Sequence, residues 1–456
     1  MNFDGPVRVT DAATPGVATL TVSFDAWKGV AVAPSSHSVP VLPAKVGPKA
    51  VPVDASLIAS LVYRDKKAMI YTVKFSPDGK RLFATIGPYG DAQFWDVPSM
   101  KETLRIARPS GYMSQLDDPL LTPDWKTLYL PVYKQSTKSF ERDGKKMNRI
   151  EYAGRIRVWD LPSGKEMAPL QTTDGTAPTF AQLAPTGRLL VCNERPGYEA
   201  TGVPKDGSEA WDLVTGKKWK WSAGCGVCVF LPDEKTIAGI TADDVTNMSA
   251  VKLFDCASGK EMASLPCTEK GRFFGGWPRL APDGTVIAVF LGGLKGAALE
   301  VWFLDAKTLK VRGKLTSKGD PNGYGWGVGQ FTPDGKHFIV LDALGSALIW
   351  DVAGSKLERT LPVSENTRAY QLAISPDSKV LAVAWMPKID PGLENELYPD
   401  PQDLPQPRIS LVDRALRQPT RILIAPNGLT GGLAFSPDGK TLAFGSSGAI
   451  RLFRME

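Results

Sequence analysis

The sequence predicts an all-β fold, a closed β-propeller of four-stranded blades. Three observations carry this: a tight-turn motif recurs eight times, an aromatic-acid pair or a degraded form of it ends a strand at the same interval, and a spare strand precedes the first repeat where the last repeat lacks one. Eight blades follow from that count, with seven as the alternative if the third or seventh unit is irregular.

The turn reads Ser76-Pro77-Asp78-Gly79, Thr122-Pro123-Asp124, Pro185-Thr186-Gly187, Pro232-Asp233, Pro282-Asp283-Gly284, Pro333-Asp334-Gly335, Pro376-Asp377 and Pro437-Asp438-Gly439. Proline sets φ at the first corner, aspartate bonds to the local backbone, and glycine takes the left-handed position, so each copy is a hairpin turn. Short β-prone runs flank it, such as Val73-Lys74-Phe75 before and Leu82-Phe83-Ala84 after. A third run ends at Trp95-Asp96, Trp159-Asp160, Trp211-Asp212, Phe254-Asp255, Leu304-Asp305, Trp350-Asp351, Val412-Asp413 and Leu452-Phe453. A second turn, of the type Pro162-Ser163-Gly164-Lys165, leads into a fourth run such as Glu261-Met262-Ala263-Ser264-Leu265. One unit is therefore four strands.

The turn prolines lie 43 to 51 residues apart, except where inserts stretch the interval past 60. With its Trp-Asp strand ends, the chain from residue 56 to 456 resembles bacterial WD40-repeat proteins, and its Pro-Asp-Gly turns resemble those of TolB-like propellers. The resemblance implies a ring of blades. It departs from the family in histidine: His37 and His337 are the chain's two, and neither precedes an inner strand. The Asp-His-Ser-Trp network of WD40 blades is therefore not expected, and apolar packing is expected to carry more of the load.

Closure follows from the strand count. The last unit supplies three strands and ends at Arg451-Leu452-Phe453, while Leu57 to Tyr63 has no other partner, so residues 57–63 are expected to complete the final blade and remove its open edge. Residues 1–55 do not fit the repeat. Val7-Arg8-Val9, the run Ala18 to Phe24 and the turn Asp25 to Gly29 read as two or three strands, followed by a Pro- and Val-rich linker. They resemble the last strands of an immunoglobulin-like sandwich, which leaves open whether they pack on the propeller or belong to a longer protein.

Composition excludes several classes. A formal charge of +6 from 54 basic and 48 acidic residues does not point to nucleic acid, and no run approaches a membrane span. Met1-Asn2-Phe3-Asp4 is not the basic start of a signal peptide, and five irregularly spaced cysteines do not form a disulfide framework, so a cytoplasmic setting is expected. An extracytoplasmic one is the alternative if the chain is part of a longer protein. A monomeric propeller is expected.

Catalytic signatures are missing: the chain has no His-Glu-x-x-His, Gly-x-Ser-x-Gly or phosphate loop. A non-enzymatic protein without a cofactor is the expectation. The alternating Gly323, Gly325, Gly327 and Gly329 lack the helix a nucleotide fingerprint requires and are read as letting inner strands crowd near the axis. Cys225-Gly226-Val227-Cys228 has the spacing of half a zinc site or a redox pair, but no second pair or histidine completes it, so core packing is the competing reading.

Loop length points to binding. In a propeller the connection between strands two and three lies on the same face as the entry to each blade, so long inserts build one surface. A basic insert from Val132 to Gly154 carries Lys134, Lys138, Arg142, Lys145, Lys146 and Arg149. A second spans Glu194 to Glu209, and an acidic third, Pro387 to Pro407, carries Asp390, Glu394, Glu396, Asp400 and Asp403. Calcium at the acidic insert is not supported, because the chelating-loop spacing is absent. Tyr71, Trp277, Trp326 and Tyr370 stand at the start of inner strands and are expected to ring the channel mouth on that face, where they either anchor a partner or pack between blades. The expected function is a scaffold that binds a protein or peptide. A small-molecule or glycan sensor at the aromatic mouth, or a propeller module of a larger cell-surface protein, is the alternative.

Overall fold

The computed structural model describes residues 16–22, 35–41, 50–51, 56–62, 68–86, 91–113, 120–142, 145–173, 175–195, 198–199, 207–221, 224–243, 248–269, 271–293, 298, 300–317, 328–342, 345–364, 369–385, 407–415, 418–424, 430–446 and 448–455. The chain divides into two compact units, Met1–Lys49 and Ala50–Glu456. In the first, Gly16–Val22 pairs antiparallel with Ser35–Val41; Val7 to Val9 and the turn from Asp25 fall outside the described residues.

The second unit is an eight-bladed β-propeller. Blade 1 runs from Ile70 to Ile106, blade 2 from Leu120 to Leu170, blade 3 from Ala177 to Trp221, blade 4 from Val227 to Pro266 and blade 5 from Arg272 to Thr316. Blade 6 spans Gly329 to Pro362, blade 7 Ala369 to Ile424, and blade 8 Thr430 to Arg454. Leu57–Val62 is the fourth strand of blade 8, antiparallel to Ala449–Arg454, so strands from the two extremes of the array share one sheet. Ala50–Val51 adds in parallel to the outer edge of blade 7 at Ile422 and Leu423, which brings the start of this unit to Ala50, six residues before the boundary read from the repeats.

Five of the eight turns are built by two short side chains. Ser76 Oγ donates to Asp78 Oδ1 and accepts from Arg81 N, while Asp78 also accepts from Lys80 N. The same hydroxyl-carboxylate pair recurs at Thr122 and Asp124, Thr332 and Asp334, Ser375 and Asp377, and Ser436 and Asp438. The residue at the glycine position then faces the proline of the preceding blade's turn. A Cβ on Gly187 would lie 3.0 Å from Pro123, and one on Gly284 would lie 2.1 Å from Pro232. Gly79, Gly335 and Gly439 meet Pro437, Pro282 and Pro376 in the same way. One motif thus makes both the hairpin and the spacing between blades. Trp125, Glu234 and Ser378 hold that position elsewhere at φ of 55°, 51° and 63°. Such a conformation costs a non-glycine residue about 1–2 kcal/mol. Glu234 offsets part of it by accepting from Thr186 N and Thr186 Oγ1 of the neighbouring turn at 2.7 and 2.6 Å.

The apolar core is a ring of eight clusters, one at each junction between adjacent blades. Aromatic residues bridge some junctions, as where Phe303 of blade 5 stacks on Trp350 of blade 6 at 4.8 Å and 7°. The expectation that apolar packing would replace the missing histidine network is incomplete. Three residues before the acid of the third strand, several blades carry a polar side chain that reaches the fourth strand. Arg157 pairs with Glu166, the buried Glu209 with Lys218, and Lys252 with Glu261. Gln93, with its amide oxygen turned toward Arg105, accepts from Nε and Nη2, and Lys314 Nζ sits 3.5 Å from the Trp302 ring centroid. In these blades polar bonding between the third and fourth strands, with the sign of charge varying from blade to blade, stands beside the apolar packing.

Candidate binding face

The face where each blade begins is shaped by a slip in register. The innermost strand of an antiparallel blade should pair residue for residue with the second, yet in five blades it carries extra residues near its start. Tyr71 is the extra residue between Ile70 and Thr72 of blade 1, and Tyr370 the one between Ala369 and Gln371 of blade 7. Phe180 lies within the slip of blade 3 and Trp277 within that of blade 5. A bulge re-aims the side chain it carries, so four aromatic residues at the mouth stand on alternate blades. Tyr71 and Tyr370 are more than a third exposed, while Phe180 and Trp277 are half-buried.

Phe180 was not among the aromatics picked from the sequence. It is the residue that Trp277 meets, edge to face, with centroids 6.0 Å apart. Its strained backbone, at φ of 47°, belongs to the slip in register. The usable signal was its place, four residues ahead of Ala184 as Trp277 is four ahead of Ala281. Trp326 lies outside the described residues. The slip in blade 8 is filled by Gly431 and Gly432, where a Cβ would fall 1.6 Å from Ile70 O and 2.5 Å from Val73 N. Here two inner strands crowd together. Gly329 has another neighbourhood, the rings of Phe338 and Phe290, and Gly323, Gly325 and Gly327 are outside the described residues.

The basic insert is regular structure rather than an irregular loop. Thr127–Arg142 and Lys145–Asp160 pair without a break from Thr127↔Asp160 to Arg142↔Lys145, so the two middle strands of blade 2 run on as a ribbon. Lys145, Lys146 and Arg149 stand on its returning strand opposite Arg142, Glu141 and Lys138. Tyr133 and Tyr152 pack edge to face at the ribbon's base, and Arg155 lies over Tyr112. Tyr198–Glu199, from the insert of blade 3, pairs with Ile150 and Arg149. The first two inserts are thereby one three-stranded sheet. Glu394 and Glu396, with the rest of the acidic insert, lie outside the described residues.

Cys225 and Cys228 sit at the entry of blade 4. In an extended strand they would be far apart, but Gly226 at φ of 58° folds the chain back and brings the sulfur atoms to 3.9 Å. Ser208 Oγ accepts from Cys225 N at 2.8 Å and donates to Asn193 Oδ1 at 2.8 Å. Both cysteines are buried. Contact with Cys228 lowers the Cys225 thiol, and the same contact together with burial raises Cys228. Burial pushes the nearby Cys256 thiol up to about 12. Among the described residues no group of three or more His, Cys, Asp or Glu side chains is arranged to hold a metal ion.

On the opposite face His337 bridges blades 6 and 7. Its Nε2 lies 2.8 Å from Glu358, and its Nδ1 accepts from Arg414 Nη2 at 2.7 Å, since a guanidinium only donates. Arg414 also donates to Ser378 O.

No family model matches the chain, and no curated protein matches it. Its class is set by architecture: an eight-bladed β-propeller closed within one sheet, with a built-up face. No helix among the described residues is long and apolar enough to cross a membrane.

Proposed function

We propose that this propeller, of the WD40 type by its Trp-Asp strand ends, is a non-catalytic scaffold that binds a protein or peptide on the face bearing the blade 2 and blade 3 extensions. The observation that carries the reading is the three-stranded sheet made from two inserts of different blades. A loop that only decorates a surface has no need of a continuous ladder, whereas a rigid projection on a rigid ring presents side chains in fixed positions, as binding surfaces do. The test is affinity capture from native lysate with the intact chain and with a variant in which residues 134–153 are replaced by a two-residue turn, after its cooperative unfolding is verified. A partner retained by the first and lost from the second supports the reading; a partner held equally by both, or none held by either, ends it.

The Phe180–Trp277 contact favours a second reading, a small-molecule or glycan site at the mouth. It calls for a metabolite that raises the melting temperature of the intact chain and not that of Trp277→Ala.

A further inference from the structure

The forward strand of the ribbon has an open edge, and its chemistry specifies an occupant. Among the described residues its outer side is paired with Leu120–Leu121 and then by a single bridge between Met113 and Tyr133. Tyr133 uses both its N–H and its C=O in that bridge, at 2.9 and 2.6 Å. Backbone groups of a strand point alternately to its two sides, so Gln135, Thr137 and Ser139 aim their N–H and C=O outward like Tyr133, and no strand among the described residues meets them. Lys134, Gln135, Ser136, Thr137, Lys138 and Ser139 are all exposed, which means that both faces of this stretch stand clear.

Side chains alternate in the same way. Lys134, Ser136 and Lys138 share one face, and the two lysines flank a small hydroxyl. Lys138 Nζ reaches Glu151 only at 4.0 Å, a weak exposed pair.

We propose that the edge from Lys134 to Ser139 binds an extended peptide of a partner by strand addition, and that the peptide carries carboxylates four residues apart to face Lys134 and Lys138. The proposal rests on the scaffold reading and names its mode. Backbone bonds to Gln135, Thr137 and Ser139 supply affinity without regard to sequence, and the lysine pair supplies the preference.

The probe is a labelled Thr-Glu-Val-Thr-Val-Glu-Thr peptide titrated into the full chain, beside a control with both glutamates replaced by lysine. The acidic peptide is expected to bind at least tenfold tighter than the control and to slow amide exchange at Gln135, Thr137 and Ser139. Thr137→Pro deletes an outward N–H without touching the ladder inside the ribbon, and should weaken binding at least tenfold at an unchanged unfolding midpoint. Lys134→Glu with Lys138→Glu should reverse the preference, which keeps the test decisive if the proline variant folds poorly. Equal binding of the two peptides, undiminished binding by Thr137→Pro, or no binding at millimolar peptide overturns the proposal. If ribbon replacement still removes the lysate partner while these peptides fail, the scaffold reading survives and strand addition does not.

Discussion

Phe180 and Trp277 meet with their ring planes at 70°, although blade 4 stands between the blades that carry them. Rings from non-adjacent blades meet only by reaching past the blade between them. Edge-to-face pairs are worth about 0.5–1.5 kcal/mol beyond the area they bury. A double-mutant cycle of Phe180→Ala and Trp277→Ala, read by urea unfolding, is expected to show coupling within that range, whereas purely additive effects would show that the rings do not support each other.

Gly284 and Gly216 separate two effects of the same substitution. Both have φ near 70°, but a Cβ on Gly216 meets nothing within 4 Å, and one on Gly284 lands on Pro232. Gly216→Ala should cost about 1 kcal/mol for its backbone alone. Gly284→Ala should cost at least about 2 kcal/mol, because two blades must also part. Equal losses in denaturant midpoint would mean that the turns do not set blade spacing.

The turn carboxylates make acid the weak side of the stability curve. Bonds from Arg188 and from Arg312 hold Asp212 and Asp305 down at about 2, and serine or threonine hydroxyls lower Asp78, Asp96, Asp124, Asp255, Asp377 and Asp438. A depressed folded-state pKa stabilises the fold above the unfolded value near 3.8 and loses that contribution as pH falls toward the folded value. Melting temperature should therefore be level from pH 7 to about pH 5 and drop steeply below pH 4. Asp212→Asn should flatten part of that drop; a curve that peaks in acid would refute the assignment.

Glu209 is fully buried, and its carboxylate accepts from Thr173 N at 2.7 Å and pairs with Lys218 at 3.1 Å. Removing one partner of such a pair typically costs about 3–5 kcal/mol, while replacing both with apolar groups is often neutral. Lys218→Met should fall near the lower end, since Lys218 is partly exposed. Glu209→Leu combined with Lys218→Met should recover most of the loss, and failure to recover would locate the cost in packing.

Much of this architecture could be read from residues because it rests on local chemistry repeated in step. Pro-Asp-Gly and its degraded forms mark the hairpin turns, and Trp-Asp and its degraded forms mark the ends of third strands, so counting both kinds of copy yields the blades. The spare strand at Leu57 and the gap beside Arg454 belong to the same arithmetic. The mouth was only partly legible. Tyr71, Trp277 and Tyr370 stood out as aromatics ahead of inner strands, but Phe180 sits among Pro178, Thr179 and Ala181, with nothing local to tell a bulged residue from a paired one. The ribbon reads as a loop in the sequence because its forward strand is polar on both faces from Lys134 to Ser139, which erases the alternation that marks a half-buried strand. The union of Glu199 with Arg149 is a tertiary pairing between inserts fifty residues apart in sequence, and no spacing announces it.

The sheet shared by Leu57–Val62 and Ala449–Arg454 gives the ring a seam. Its two sides are separated in sequence by every other blade, so the contact that completes the propeller is the most distant strand pairing among the described residues. Loop-closure entropy delays such contacts, and until this one forms, the outer edge of Ala449–Arg454 offers unpaired backbone to any passing strand. During synthesis seven blades have emerged before the seam has both of its sides. Folding is therefore expected to leave this seam to a late step, with the open edge exposed until it forms.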